Sequence, residues 1–223
     1  MPVRETPPLA ALEPPVLGAE GRILEGIVTT LNVSGEANIS PMGPLVGEPL
    51  ERLWLRPFRT STTYQNLKRT GCGVFHVTDD VLLLAQAAVG QPDPLPRLLP
   101  ASAVEGVILA DACRWYAFEV ESLDDSAERT SIVATIVDRG EQREFLGFNR
   151  AKHAVLEAAI LATRVHLLPA GEILAEFDRL RAPVDKTGAA AEQRAFRFLV
   201  DVVNRRLAGG GCGVDDTSGT RPA

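Results

Sequence analysis

Only three of the 223 residues are cysteines, Cys72, Cys113 and Cys212, and they are far apart with no CxxC pair and no nearby histidine pair. That excludes a disulfide framework and offers no zinc-ligand spacing. Basic charge is in deficit, with Lys+Arg 23 against Asp+Glu 29, a net charge of −6 and a pI near 5.2. Proteins that hold phosphate backbones or anionic lipid usually present a net basic face, so neither nucleic acid nor a membrane is an expected partner. No apolar run approaches the roughly 20 residues that span a bilayer, and the nearest, 154–163, is interrupted by Glu157. After Arg4 no apolar stretch follows, because Glu5, Pro7, Pro8, Glu13, Pro14 and Pro15 break it, so no signal peptide is read and a cytoplasmic location is expected. Aromatics are scarce at 5%, and Trp54, Phe58 and Tyr64 are expected in the core. GxSxG, P-loop, GxGxxG and HExxH motifs are all missing, which weakens hydrolase, nucleotidase and dinucleotide-fold readings.

What is present is an ordinary globular composition, 45% hydrophobic and 23% charged. The chain divides by period. Residues 1–20 hold five prolines and no pattern, so they are expected to be a flexible N-terminal arm. From 21 to 148 the apolar pattern is short and strand-like, with strands predicted at 23–30, 37–41, 53–56, 74–77, 104–109, 115–122 and 131–137. A turn at Val33-Ser34-Gly35-Glu36 makes a hairpin of the first two, and the polar Asp124, Asp125 and Ser126 join the last two. A short apolar helix is expected from Val81 to Ala88, followed by a rigid loop carrying Pro92, Pro94, Pro96 and Pro100. Over 149–207 the period becomes helical. One helix is predicted from an Asn149 N-cap to near Leu168, a second through Ile173, Leu174, Phe177 and Leu180 that stops at Pro183, and a third through Ala195, Phe198, Leu199, Val202 and Leu207. Residues 208–223 are expected to be a disordered tail.

One stretch stands out for its chemistry. Within 55–80, LRPFRTSTTYQNLKRTGCGVFHVTDD, the residues Arg56, Arg59, Thr60, Ser61, Thr62, Thr63 and Asn66 are packed closely before and into a short helix starting near Tyr64. Hydroxyl and amide donors with a guanidinium are what a phosphate dianion requires; a Ser/Thr-rich turn that merely caps the helix accounts for the same residues.

Together with EGIVTTLNVSGEANISPMGP (25–44) and FNRAKHAVLEAAILATRVHLL (148–168), this stretch resembles the FMN-binding split-barrel flavoproteins, the superfamily of flavin reductases and pyridoxamine-phosphate oxidases. More narrowly, it resembles a prokaryotic subfamily known only as a domain of unknown function. The resemblance covers roughly 23–207 with its three blocks in order. It implies a mainly β fold, a Greek-key split β-barrel with a C-terminal α-helical subdomain, forming a homodimer with FMN at the subunit boundary. The barrel would occupy 21–148 and the helices 149–207. Arg59, Ser61, Thr63 and Asn66 are implied to hold the phosphate, with Thr60 and Thr62 beside them. Thr30, Asn38, Ser40 and Met42 are implied to run along the isoalloxazine.

Asn149 and Arg150, with Lys152 and His153, stand at a helix N-terminus that either meets an anion or is simply capped. Glu157, beside an apolar stripe, is expected to form a structural salt bridge with Arg150, Arg164 or a group on the barrel, and His76 and His166 are expected to be packing or surface residues. The implied activity is a flavin-dependent oxidoreductase whose small-molecule redox partner is unassigned. The alternative is a non-catalytic dimer that binds flavin or another phosphorylated ligand.

Overall fold

The computed structural model describes residues 13–209, so residues 1–12 of the expected arm over 1–20 and residues 210–223 of the expected tail over 208–223, Cys212 included, lie outside the described residues. The chain separates between Gly147 and Phe148 into two compact units. The first contains β1 (Arg22–Ile23), β2 (Gly26–Leu31), β3 (Ala37–Met42), β4 (Leu45–Val46), β5 (Arg52–Leu55), α1 (Thr62–Thr70), β6 (Cys72–Val77), α2 (Val81–Val89), β7 (Leu98–Pro100), β8 (Val107–Leu109), β9 (Arg114–Asp124) and β10 (Ser131–Glu141).

Eight of these strands form one antiparallel sheet in the order β1-β4-β5-β10-β9-β6-β2-β3. In a flat sheet β2 and β5 would stand about 19 Å apart, four strand spacings. Yet Val28 of β2 and Leu55 of β5 belong to one buried cluster with Phe75, Phe118 and Ile132. The sheet is therefore curled around a shared apolar core, a half-barrel. The alternation of Tyr116 and Phe118 on β9 with Ile132 and Ala134 on β10 supplies much of that core, as the pattern predicts. Tyr64 and Leu67 of α1 pack into the same cluster.

Gly26 marks a close approach between neighbouring strands: a Cβ there would fall 2.2 Å from the His76 carbonyl oxygen and 2.7 Å from the Phe75 ring. His76 is wholly buried. Its Nε2 accepts from the Leu109 N–H at 3.0 Å, which requires that Nδ1 carry the hydrogen and donate to the Ile27 carbonyl at 3.2 Å. Burial pushes its pKa down to about 4.

The structure departs from the pattern in several places: the helix capped by Asn149 ends at Thr163 and not near Leu168, and Phe58, expected in the core, is 47% exposed because it lies on the surface turn before Arg59. The predicted strand 23–30 is two strands, because β1 pairs with β4 while β2 pairs with β3 and β6. The proline-rich loop contains β7, which pairs with β8 as a separate two-stranded sheet with Leu98 opposite Leu109. In the second unit, α4 (Ala170–Thr187) runs through Pro183 instead of stopping there.

The second unit packs α3 (Arg150–Thr163), α4 and α5 (Ala190–Gly209) against one another. Ala208 and Gly209, expected in the tail, complete α5. The core holds Val155, Ala158, Ala159 and Ala162 of α3, with Ile173 and Phe177 of α4 and Phe196 and Leu199 of α5. The Phe177 and Phe196 ring centroids lie 5.7 Å apart. The turn after Pro183 survives because it is tied down: Val184 is buried, and Thr187 takes the Asn149 amide on its carbonyl and the Ala151 N–H on its hydroxyl. Among the described residues no helix is long and apolar enough to cross a membrane.

Candidate functional site

The site is built from the start of α1. Ser61 is its N-cap, in extended conformation, and its hydroxyl oxygen accepts from the Tyr64 N–H at 3.2 Å. The helix ends at Gly71, whose φ of 68° is left-handed and suits a residue without a Cβ. No described residue accepts from the N–H of Thr62 or Thr63. Two donors at the positive end of the helix dipole are thus left for an outside acceptor. Around them Arg59, Thr60 and Thr62 are exposed and Ser61 is half-buried. The turn that carries Arg59 is stitched to the segment leading into β10: its N–H donates to the Glu128 carbonyl at 3.0 Å, and Thr130 donates through both N–H and hydroxyl to the Pro57 carbonyl.

The far side of the site is the β2–β3 ribbon. Thr30 stands opposite Asn38, Val28 opposite Ser40 and Gly26 opposite Met42, so Thr30, Asn38, Ser40 and Met42 share one face. Val28 on that face is core, whereas Ser40 and Met42 are half-buried. β3 is the last strand of its sheet, so its outer row of backbone groups has no strand partner.

The structure joins these two halves through a buried polar cluster. The Asn38 side-chain amide donates to the Thr30 hydroxyl at 3.2 Å and to the Thr63 hydroxyl at 3.1 Å. The Asn66 amide donates to the same Thr30 hydroxyl at 3.0 Å and to the Asn32 side-chain oxygen at 2.9 Å. Relative exposures are 1% for Thr30, 5% for Asn38, 2% for Thr63 and 4% for Asn66, so these four face one another while Arg59, Thr60 and Thr62 face outward. Sequence reasoning therefore found all four cluster members, but spacing could not show that their donors are turned inward.

It missed Asn32, which lies in the hairpin turn, and Asp125. The Tyr64 hydroxyl donates to Asp125 at 2.5 Å and the Lys68 ammonium to the same oxygen at 2.6 Å. These two hydrogen bonds, Lys68 first, hold the Asp125 carboxyl down to about 2, with Arg59 adding to the effect through its charge. The i, i+4 pair Tyr64 and Lys68 was the available signal, but its partner is 57 positions away for Lys68.

Asn149 and Arg150 belong to the helical unit. Asn149 caps α3, accepting from the N–H of Ala151 at 2.8 Å and of Lys152 at 3.2 Å. Unlike the Thr62 and Thr63 amides of α1, the Ala151 and Lys152 amides of α3 already have acceptors. Lys152 lies 3.7 Å from Glu192, itself 6% exposed. Arg150 and His153 line a groove of about 480 Å³ with Phe148 and Pro183. Glu157 lines it too, exposed and with no ion pair to Arg150 or Arg164, which corrects the expected salt bridge: the residue faces water and needs none.

Comparison with known proteins places this geometry. Residues 24–143 match the family described as "Protein of unknown function (DUF447) N-terminal domain" and residues 149–201 match "Protein of unknown function (DUF447)". Among solved structures the chain is similar to an FMN-bound protein of the same family from Methanosarcina mazei, at 25% identity and a TM-score of 0.67, covering 81% of this chain and 94% of that one. Weaker likenesses include the styrene monooxygenase flavin reductase of Pseudomonas putida S12, at 13% identity and a TM-score of 0.45 over 53% of this chain and 79% of that one. Flavoredoxin from Methanosarcina acetivorans shows 9% identity and a TM-score of 0.47 over 60% and 78%. No curated protein matches the sequence. The fold, a curled antiparallel half-barrel followed by C-terminal helices, is shared with the Methanosarcina mazei protein. With both of its segments matched in order, the chain belongs to the DUF447 family.

Proposed function

We propose that this protein binds FMN and works as a flavin-dependent oxidoreductase, as a homodimer with the flavin at the subunit boundary. The observation that carries the FMN reading is the unsatisfied N-terminus of α1, two N–H donors ringed by Arg59, Thr60, Ser61 and Thr62 and bonded through Thr63 and Asn66 to the β2–β3 ribbon. It is supported by the FMN-bound relative from Methanosarcina mazei, which covers most of this chain.

The donor set fits the cofactor. A phosphate dianion takes charge-assisted hydrogen bonds from the two amides and the Arg59 guanidinium, at a helix end whose dipole favours it. Ser40 and Met42 offer a half-buried strip, and the outer backbone of β3 offers carbonyl acceptors with N–H donors at Ala37 and Ile39, though none at Pro41, for the ring with its mixed polar edge. When bound, the flavin supplies the hydride and electron transfer. The chain holds and orients it. His76 contributes no proton to that chemistry, since both of its ring nitrogens are committed, one to the Ile27 carbonyl and one to the Leu109 N–H of β8.

The visible spectrum of protein purified without added cofactor, followed by FMN titration, tests the reading. A flavin band, or saturable uptake of one FMN per chain, is expected; a protein that takes up no flavin overturns it. Oxidation of reduced nicotinamide with a dye acceptor then separates an oxidoreductase from a flavin carrier, which would hold FMN without turnover.

A further inference from the structure

The four buried polar residues between α1 and the ribbon are oriented in a way that a set of direct ligand contacts would not be. Asn38 spends its amide donors on two hydroxyl oxygens, one on β2 and one on the second residue of α1. Asn66 spends its own on Thr30 again and on Asn32 in the turn. Thr30 therefore accepts two hydrogen bonds on one hydroxyl oxygen, the full capacity of its lone pairs. A hydroxyl saturated in this way is a fixed structural joint. It locks both amides at once, and with them the position of the first turn of α1 relative to strands β2 and β3.

We propose that Asn38 and Asn66 are positioning residues that set the register of the α1 amides against the ribbon, so that selectivity for a phosphorylated flavin over its dephosphorylated form depends on side chains that touch no phosphate. The inference rests on the FMN reading. Both residues are at least 95% buried with their amides committed to the chain, while Arg59 and Thr62 on the same turn are exposed. A displacement of the α1 N-terminus by a fraction of an ångström misaligns both amides together, because a hydrogen bond weakens steeply off its angle. Asn38 also belongs to the strand implied to run beside the ring. Through it, the two ends of the cofactor site are held by one side chain.

The test compares FMN with riboflavin, which carries the same ring without the phosphate. Wild-type protein should bind FMN far more tightly than riboflavin. In Asn38→Ala the FMN dissociation constant should rise about tenfold or more, as expected for two misaligned charge-assisted bonds, while that for riboflavin changes about twofold at most, so the ratio between them collapses. Thr63→Val, which removes the hydroxyl acceptor, should lower the ratio in the same way, and Thr63→Ser should restore it; this pair keeps the test decisive if Asn38→Ala does not fold. General loosening of the fold weakens both flavins alike and leaves the ratio unchanged, as would a direct contact of Asn38 with the ring. An unchanged ratio in folded Asn38→Ala and Thr63→Val therefore overturns the inference while leaving FMN binding intact. A wild-type protein that binds neither flavin overturns both readings, and one that binds both equally overturns the phosphate site; either result is visible before any variant is made.

Discussion

Single side chains decide two properties of the barrel. His76 has a folded pKa of about 4 against the usual 6.5. The unfolded chain thus binds a proton over this interval that the native state refuses, and stability rises with pH there. The contribution is complete above about pH 6.5 and is lost as pH falls toward 4, on the order of 3 kcal/mol. Urea midpoints measured across that window should fall with acid, and His76→Gln should flatten the fall; an equally steep profile in the variant would assign the effect elsewhere. The carboxylates with lowered pKa, Glu20, Glu121, Asp124 and Asp125, lose their contribution only as pH falls through their usual values of 4.5 or less, so they overlap no more than the acid end of this window.

The second property is the proposed phosphate site at Ser61. Replacing it with alanine removes the cap and costs about 1 kcal/mol of stability. Ser61→Asp keeps a capping oxygen and adds a negative charge beside the two α1 amides, so thermal stability should hold while FMN affinity falls by about tenfold or more. Retained affinity in that variant would place the phosphate elsewhere. Arg59→Ala, exposed and outside the core, should weaken FMN binding without a measurable change in melting temperature.

Among the elements, α4 carries a residue against its own propensity. Pro183 forgoes one backbone hydrogen bond one turn before the end of an 18-residue helix, a defect of roughly 3 kcal/mol in a free helix interior. Pro183→Ala should therefore raise stability by about 1 to 3 kcal/mol, read as a higher urea midpoint. In β2 the opposite holds: Gly26→Ala drives a methyl group into the His76 carbonyl and the Phe75 ring and should destabilise by about 2 kcal/mol or more. The same elements show what the sequence could and could not reveal. Alternation in β9 and β10 and the 3.6 period of α3 were legible because each is a local pattern facing one core. The run of α4 past Pro183 was not, since it depends on Thr187 meeting Asn149 and Ala151, some 36 to 38 positions away in sequence. Within the candidate site the residue types were legible in STTYQN, whereas the inward turn of Asn38 and Asn66 came only with the pairing of β2, β3 and α1.

At the scale of the whole molecule, the connection between the units exposes an apolar run, with Phe145 at 47%, Leu146 at 84% and Phe148 at 94%. Brief chymotrypsin digestion should cut there first and release two fragments near the boundary at Gly147; first cuts inside β9 or α3 would contradict the division into units. Light scattering should give twice the mass of one chain if the proposed homodimer forms. The terminal position of β3 carries a further consequence. A sheet margin with open backbone groups is a template for strand addition by another molecule, which Pro41, lacking an N–H, and α2, packed against β3, here blunt only in part. A ring seated along β3 would cover that template, so the cofactor would act as a guard against misassembly as well as a reagent. Turbidity followed in concentrated samples should then rise sooner in protein stripped of flavin than in protein saturated with it.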